Sequence, residues 1–289
     1  MRIIPLAADS MGNRSMATFV ETKDCKVLID PGVNVGEIRY GLKPHPLESW
    51  LLEKHKKRIK LFAQSADIIV ITHYHFDHFM PDVPDIYRGK ILFLKNPNQK
   101  INISQRKRAF ELLRATKALS NEVNYVDDRT FFFGETTIKF SPPFVHGTDE
   151  KLGFVIQVVL QDSEESFLYS SDVQGPSRDE PVDFIISQNP RFLYLDGPLT
   201  YLQGDIDLMG LLKKTLHKMQ TILKNTNVKR VIIDHHLLRD IQWKNRIEPL
   251  FTLASSRGIL IQTAAEYRGE ENNLLEARRQ ELYKENPVQ

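Results

Sequence analysis

Apolar residues form two different patterns along this chain. Some lie in short β-branched runs, and others lie three or four positions apart in longer stretches. The short runs predict strands, and the longer stretches predict amphipathic helices. The clearest predicted helices cover residues 46–66 and 208–225, and the most apolar predicted strand covers 68–72. Because strands interleaved with helices are typical of layered α/β proteins, we expect an α/β fold.

The other predicted elements are mostly strands. They cover residues 16–22, 26–30, 90–94, 130–133, 136–140, 152–160, 165–171, 182–187, 191–196, 229–234 and 258–263. A basic helix is predicted over 100–117 and a charged helical tail over 270–284. No repeat, low-complexity segment or linker divides the sequence. We therefore expect one domain over residues 1–289, with the basic helix as an insert around 95–120.

The strand over 68–72 leads into a dense cluster of metal-binding side chains. His73, His75, Asp77 and His78 follow it in the pattern H-x-H-x-D-H. Imidazole and carboxylate groups are the usual protein ligands of zinc and similar metals. If the chain stays extended, His73 and His75 point to the same side, while Asp77 and His78 follow a turn and face a second ion. The pattern therefore predicts a metal site at the carboxyl end of this strand.

Other polar residues stand at predicted strand ends in the same way. They are Asp30, His146, Asp172 and the pair His235 and His236. From the sequence alone, two interpretations of Asp30 remain open. It is either a turn-forming aspartate or a carboxylate that orients a metal-bound histidine.

Composition narrows the function only slightly. The 289 residues are 41% hydrophobic and 26% charged, and the formal net charge of +2 argues neither for nor against nucleic acid as a partner. The single cysteine, Cys25, excludes a thiolate zinc site and fits a reducing compartment. The N-terminal apolar segment is too short for a secretory signal, and no run reaches the roughly 20 apolar residues of a membrane span. We expect a cytoplasmic protein with no membrane partner.

The order of the strand-end residues resembles the metallo-β-lactamase superfamily. The H-x-H-x-D-H pattern is followed by His146, Asp172 and His235, and the segment 27–32 resembles the superfamily's first motif. Within the superfamily, the sequence is similar to a largely archaeal branch of predicted metal-dependent hydrolases. The resemblance implies a four-layer αββα sandwich, with the metals at one edge between two mixed sheets.

The resemblance also implies a role for each site residue. It implies two divalent metal ions, which are zinc or, as alternatives, manganese or iron. The first ion would be held by His73, His75 and His146, and the second by Asp77, His78 and His235. Asp172 would bridge both ions. Asp30 then lies behind the ligands. The choice between His235 and His236 stays open, although the position directly after the strand favours His235.

The implied chemistry is hydrolysis by a hydroxide that bridges the two ions, because two cations lower the pKa of a shared water. Asp77 or Asp172 would orient the hydroxide, and His236, Asp196 or a metal-bound water would protonate the leaving group. We expect a phosphate ester or phosphodiester as substrate, since the basic run over 100–117 suits an anion. The same run also suits a plain solvated helix face.

Other functions stay open. A lactone or thioester hydrolase would need an apolar pocket, for which Phe76, Phe79, Phe144 and Trp243 are candidates. A di-iron redox protein would use the same ligands, and an inert metal-binding protein would use them without catalysis. Few aromatic residues interrupt the basic run, so nucleic acid is not indicated as a partner. The sequence leaves the metal, the substrate and the oligomeric state open.

Overall fold

Two mixed β-sheets form the centre of the protein. The computed structural model describes residues 1–201 and 207–287. The first sheet has six strands in sequence order: β1 (Arg2–Pro5), β2 (Thr18–Glu21), β3 (Lys26–Ile29), β4 (Ile68–Ile71), β5 (Ile91–Leu94) and β6 (Glu122–Tyr125). Strands β1 to β3 pair antiparallel, and β3 to β6 pair parallel.

Parallel neighbours need a crossover connection, and α-helices supply two of the three in this sheet. Helix α1 (Pro46–Ser65) connects β3 to β4, and α2 (Ile103–Thr116) connects β5 to β6. Helix α1 begins at a capping box, in which the His45 side chain accepts from a backbone N–H of the first turn and Glu48 accepts from the His45 N–H. The basic helix of the sequence prediction is α2.

The second sheet has seven strands in the order β15-β14-β13-β12-β11-β8-β7. Their bounds, with those of a separate two-stranded ribbon formed by β9 and β10, are β7 (Thr130–Phe133), β8 (Thr136–Phe140), β9 (Phe144–Val145), β10 (Phe154–Val155), β11 (Val158–Gln161), β12 (Ser166–Tyr169), β13 (Phe192–Asp196), β14 (Arg230–Asp234) and β15 (Leu260–Gln262). Strands β12 to β15 are parallel, and the other neighbours are antiparallel.

Helices also cover the second sheet. They are α3 (Asp179–Gln188), α4 (Leu208–Asn225), α5 (Trp243–Arg246), α6 (Glu248–Ser256) and α7 (Ala264–Tyr267). The last helix, α8 (Arg279–Glu285), lies against the start of α1, where Arg279 binds the Glu48 carboxylate. One buried apolar cluster joins residues of both sheets, such as Val70 and Tyr169, and two further clusters join each sheet to its own helices. This arrangement confirms the expected αββα layers. In the described part of the chain, no helix is both long and apolar enough to cross a membrane.

Several predicted elements differ from the structure. Residues 182–187, predicted as a strand, belong to helix α3, whose buried positions Val182 and Ile185 are three residues apart. The charged tail is helical only over α8. Strands β1, β6 and β9 and helices α5, α6 and α7 were not predicted. Most of the other predicted strands and helices lie where the periodicity placed them, within a few residues at their ends.

The topology brings the predicted site residues together. Parallel strands present their carboxyl ends at the same edge of a sheet, so the residues after β3 and β4 meet in the first sheet. The residues after β12, β13 and β14 meet in the same way in the second sheet. In the first sheet, Asp30 follows β3 and His73 follows β4. In the second sheet, Asp172 follows β12 and His235 follows β14.

Candidate metal centre

One group of donor atoms collects around the Oδ2 atom of Asp172. The His146 Nε2 atom lies 3.2 Å from it, and the His73 Nε2 atom lies 3.4 Å from it. The His75 Nδ1 atom lies 3.1 Å from His73 Nε2. All four side chains offer a ligand atom within 4.8 Å of the others. This group contains the three histidines predicted for the first ion.

A second group shares the Asp172 carboxylate. The His78 Nε2 atom lies 3.0 Å from Asp172 Oδ1, and the His235 Nε2 atom lies 3.3 Å from Asp172 Oδ2. Asp77 completes the group, with its Oδ2 atom 3.8 Å from His235 Nε2. Asp172 therefore stands between the two groups, which is the position predicted for a bridging ligand.

The two groups fit metal ions on two observations. Ligand atoms about 2.05 Å from a tetrahedral ion lie about 3.3 Å from one another, and the measured separations cluster around that value. In addition, His78 Nε2, His146 Nε2 and Asp172 Oδ1 are buried and make no hydrogen bond within the described residues. Buried polar atoms rarely lack a partner, so a cluster of such atoms facing one another is consistent with a dinuclear metal site.

Asp30 lies behind the second group. Its Oδ2 atom is 2.9 Å from His78 Nδ1 and accepts hydrogen bonds from the hydroxyls of Thr72 and Tyr169. Its Oδ1 atom accepts from the Thr72 N–H. A carboxylate on Nδ1 fixes the ring so that Nε2 faces the metal side. The position of Asp30 is therefore that of an orienting carboxylate, not of a plain turn residue.

Sequence reasoning missed a second orienting carboxylate. The Asp9 Oδ2 atom lies 2.7 Å from His235 Nδ1, and its Oδ1 atom accepts a hydrogen bond of 2.7 Å from Arg239 Nε. Asp9 follows β1 in a buried 3-10 turn, so it too stands just beyond a strand end, as Asp30 and Asp172 do. That shared position is the signal that could have identified it.

Buried charges in this centre are strongly coupled. Burial would raise the pKa of the Asp9 carboxyl, but Arg239 and His235 hold that pKa well below its usual range. Burial lowers the pKa of His73 to about 4. At His78, burial is outweighed by the carboxylates of Asp172 and Asp30, which raise its pKa to about 10. The second group thus carries more negative charge around its histidines than the first, which suits a cation there.

His235 and His236 differ in what their rings contact. His235 places Nε2 in the second donor group, while His236 places Nδ1 3.0 Å from both carboxylate oxygens of Asp196. Asp196 also accepts from the Gln174 N–H, and burial raises the pKa of this carboxyl to about 7. His236 is close to the cluster as well, with a ligand atom near those of Asp172 and His235. The geometry favours His235 as the ligand and leaves His236 beside it, held by Asp196.

Backbone conformations at the centre are unusual. Asp30, Ser171, Gln174 and His235 all have positive φ, between 47° and 65°. Such conformations are uncommon for residues with a side chain, and they concentrate at functional sites where the surrounding structure maintains them. Three of these residues directly follow or lie close behind the ends of β3, β12 and β14.

The donor atoms open onto a cleft of about 540 Å³. Three arginines line it, Arg14, Arg108 and Arg239. Arg14 pairs with Glu276, and Arg239 pairs with Asp9. Arg108, from helix α2, lies over the ring of Phe76 and has no carboxylate partner within the described residues. One residue of the predicted basic insert therefore reaches the site.

The apolar side chains predicted for a pocket are mostly elsewhere. Phe79 is buried beneath the first sheet, Trp243 is buried under the second sheet, and Phe144 is also buried and does not line the cleft. Only Phe76 of the four lines the cleft. Val35, Ile38 and Leu152 supply the other apolar side chains there.

Comparisons with known proteins agree with this geometry. A model of the metallo-β-lactamase superfamily matches residues 12–80, which include the H-x-H-x-D-H pattern. The UPF0282 protein of Korarchaeum cryptofilum is 44% identical over 289 residues, which is 100% of this chain and 96% of the relative. The UPF0282 protein of Sulfurisphaera tokodaii is also 44% identical, over 98% of this chain and 93% of the relative.

Solved structures share the fold at low sequence identity. The metallo-β-lactamase fold protein YhfI of Bacillus subtilis has a TM-score of 0.56 at 13% identity, covering 94% of this chain and 96% of YhfI. Tm1679, a metal-dependent hydrolase of the β-lactamase superfamily, has a TM-score of 0.52 at 15% identity, covering 91% and 95%. CmlA of Streptomyces venezuelae, a diiron β-hydroxylase, has a TM-score of 0.53 at 12% identity, covering 85% of this chain and 51% of CmlA. The resemblance found in the sequence is thus confirmed, and the chain belongs to the UPF0282 family of the metallo-β-lactamase superfamily.

Proposed function

We propose that this protein is a metal-dependent hydrolase that cleaves a phosphate ester or phosphodiester. The observation that carries the proposal is the position of Arg108, a guanidinium without a carboxylate partner in the described structure, in the same cleft as the two donor groups. A guanidinium beside a metal centre favours an anionic substrate, because it binds phosphate oxygens through two parallel hydrogen bonds.

Two divalent cations, with zinc as first choice and manganese or iron as alternatives, would lower the pKa of a water between them and polarise the ester. The residues of the chain have complementary tasks. Asp172 and Asp77 line the cleft, where either would orient the attacking water. Arg108 binds and orients the anionic group. Asp30 and Asp9 keep the histidine rings of the second group in the required orientation.

His236 is our candidate for the proton donor to the leaving group. Its Nδ1 atom is held by Asp196, so Nε2 is the nitrogen available to the cleft that the residue lines. A histidine oriented by a carboxylate is a common general acid in hydrolases. In this scheme, Asp196 orients the ring and does not itself meet the substrate.

The apolar side of the cleft favours a second candidate, a lactone or thioester hydrolase. Ile38 is 59% exposed, Leu152 is 44% exposed and Phe76 is 39% exposed, and all three line the cleft. These apolar side chains would bind an acyl chain or an aryl leaving group. The same donor groups also suit two iron ions. The experiment must therefore distinguish hydrolysis from a redox activity and from an inert metal centre.

The deciding experiment measures metal content and hydrolysis together. The protein is purified without added metal, its metals are quantified by mass spectrometry, and its activity is assayed on bis-para-nitrophenyl phosphate and on a simple lactone. About two zinc ions per chain with phosphodiester cleavage supports the proposal. Two iron ions without hydrolysis, or cleavage of the lactone alone, would replace it with one of the other functions.

A further inference from the structure

A second pocket adjoins the metal cleft on the other side of Arg239. It has a volume of about 300 Å³, and its lining includes Arg39, Tyr40, Thr200 and Tyr201. We call it the Arg39 pocket. Arg239 lines both this pocket and the metal cleft, and its Nη2 atom lies 3.8 Å from Asp77 Oδ2. Residues 37 and 38 line the cleft and residues 39 and 40 line the pocket, so one segment passes from one to the other.

Two aromatic rings and a backbone carbonyl hold Arg39 in place. Its guanidinium carbon lies 4.6 Å from the ring centre of Tyr40 and 4.4 Å from that of Tyr201. Its Nη2 atom donates to the backbone carbonyl of Arg239 at 3.1 Å. Within the described residues, no carboxylate forms an ion pair with it. Aromatic rings thus fix the orientation of a cation whose Nε–H has no hydrogen-bond partner among the described residues.

The other charges of the pocket are already neutralised. Arg239 pairs with Asp9 through Nε at 2.7 Å. Arg246 pairs with Asp240, the carboxylate that lines the pocket, at 3.1 Å. Among the described residues that line the pocket, Arg39 is therefore the positive charge without a carboxylate partner.

Two buried polar atoms in the pocket lack partners. Thr200 is 5% exposed, and its Oγ1 atom makes no hydrogen bond to any described residue. The Arg39 Nε atom is likewise buried and unpaired in the described structure. Such atoms cost free energy unless a ligand or water satisfies them. A hydroxyl and a guanidinium N–H in one pocket are donors that suit an oxyanion.

We infer that the Arg39 pocket is a second phosphate subsite, which binds a terminal phosphate of an extended phosphodiester substrate while the bond to be cleaved lies at the metal centre. This inference rests on the proposed function and narrows it, since it favours substrates with a second phosphate over simple diesters. Arg239 lines both sites, so they are neighbours on either side of one side chain.

Two matched esters test the subsite in the metal-loaded enzyme. The first is the para-nitrophenyl ester of thymidine 5′-phosphate, and the second is the same ester with an additional 3′-phosphate. In both, water adds to the 5′-phosphorus and para-nitrophenolate leaves, so the reacting bond is identical. We expect the 3′-phosphate to raise kcat/KM about ten- to a hundredfold, mainly through a lower KM, as charge-assisted hydrogen bonds do.

Two variants and a control assign the preference to this pocket. Arg39→Ala and the nearly isosteric Thr200→Val should each reduce the ratio of the two kcat/KM values, Arg39→Ala to about one. Removing an unpaired buried hydroxyl is neutral or stabilising in a purely structural role, so a lower ratio in Thr200→Val indicates ligand binding. Arg88, an exposed arginine paired with Asp85 elsewhere on the surface, is the control, and Arg88→Ala should keep the ratio.

Each other result has a definite meaning. Equal kcat/KM values for the two esters in the unmodified enzyme would overturn the subsite and leave the proposed function intact. A ratio that survives Arg39→Ala, while inorganic phosphate binding is lost, would show a site for free phosphate and also overturn it. If neither ester is cleaved, the proposed function fails. Calorimetric titration with thymidine 3′,5′-bisphosphate then tests the subsite without catalysis. Tighter binding to the unmodified protein than to Arg39→Ala supports the subsite, and equal binding overturns it.

Discussion

The Asp9 carboxylate lies 2.7 Å from His235 Nδ1, just as the Asp30 carboxylate lies 2.9 Å from His78 Nδ1. Both histidines of the second donor group are therefore oriented from behind by a buried aspartate. The two aspartates come from the first sheet's side of the protein, whereas His235 comes from the second. The Asp9 contact thus also joins the two halves of the sandwich at the metal centre.

We predict that Asp9→Asn weakens binding of the second metal ion about ten- to a hundredfold. An amide has one acceptor oxygen, so it cannot satisfy both His235 and Arg239 as the carboxylate does. Competition with a chromophoric zinc chelator measures the two binding constants. Asp82→Asn, at an exposed carboxylate in the loop after His78, is the control and should leave both constants unchanged. Equal constants for Asp9→Asn and the control would remove Asp9 from the metal centre.

Asp172→Ala should lower the content of both metals and abolish hydrolysis together. The carboxylate lies within 3.4 Å of ligand atoms from both donor groups, so its loss removes a ligand from each. Metal analysis beside the diester assay checks this, with Asp183→Ala on the exposed face of helix α3 as the control. If Asp172→Ala retained two metals and full activity, the bridging assignment would be wrong.

The sequence was most informative where ligands are close together along the chain. The pattern from His73 to His78 identified the site, because four metal-binding side chains after an apolar strand have no simple structural purpose. The strand ends also predicted where His146, Asp172 and His235 stand. Asp172 and His235 meet because the parallel strands before them share an edge of the second sheet, a relation that periodicity can indicate. His146 instead follows strand β9 of the antiparallel ribbon.

Other parts of the site depend on distant pairings that periodicity does not contain. Asp9 and His235 are 226 residues apart, and only the packed sheets bring them together. Arg239 lies in a buried 3-10 turn just after His235, and its guanidinium pairs with the same Asp9 carboxylate. Helix α3 was mistaken for a strand because three consecutive apolar residues, 184–186, conceal its helical period.

Arg108→Ala should raise KM for an anionic ester about tenfold with a smaller change in kcat. Arg108 donates to the backbone carbonyl of Tyr74 at 3.2 Å and lies 4.6 Å from the ring centre of Phe76, so it is positioned to bind substrate and not to take part in bond cleavage. Arg106→Ala, at an exposed arginine of the same helix, is the matched control. A neutral lactone should show no such dependence. Identical KM values for the two variants would indicate that helix α2 is a solvated surface helix with no role in binding substrate.

His55 should make the protein less stable in mild acid. This histidine is buried in helix α1, and its Nδ1 donates to Asn13 Oδ1 at 2.9 Å. Burial, with Arg58 and Arg268 nearby, lowers its pKa from 6.5 to about 3. The folded state therefore binds this proton less readily than the unfolded state. The contribution of His55 to the free energy of unfolding is therefore fully present above pH 6.5 and is lost progressively as the pH falls toward 3. The loss is about 2 kcal/mol at pH 5.

Urea unfolding at pH 7.5 and pH 5 measures that loss. The metal centre is the same in every variant, so the comparison between proteins isolates His55. In His55→Gln, the difference in unfolding free energy between the two pH values should be about 2 kcal/mol smaller than in the unmodified protein. His217→Gln, at an exposed histidine of helix α4, should leave the difference unchanged. If His55→Gln and His217→Gln had the same pH dependence, His55 would have to be solvated or paired in the folded protein, contrary to its burial against Asn13.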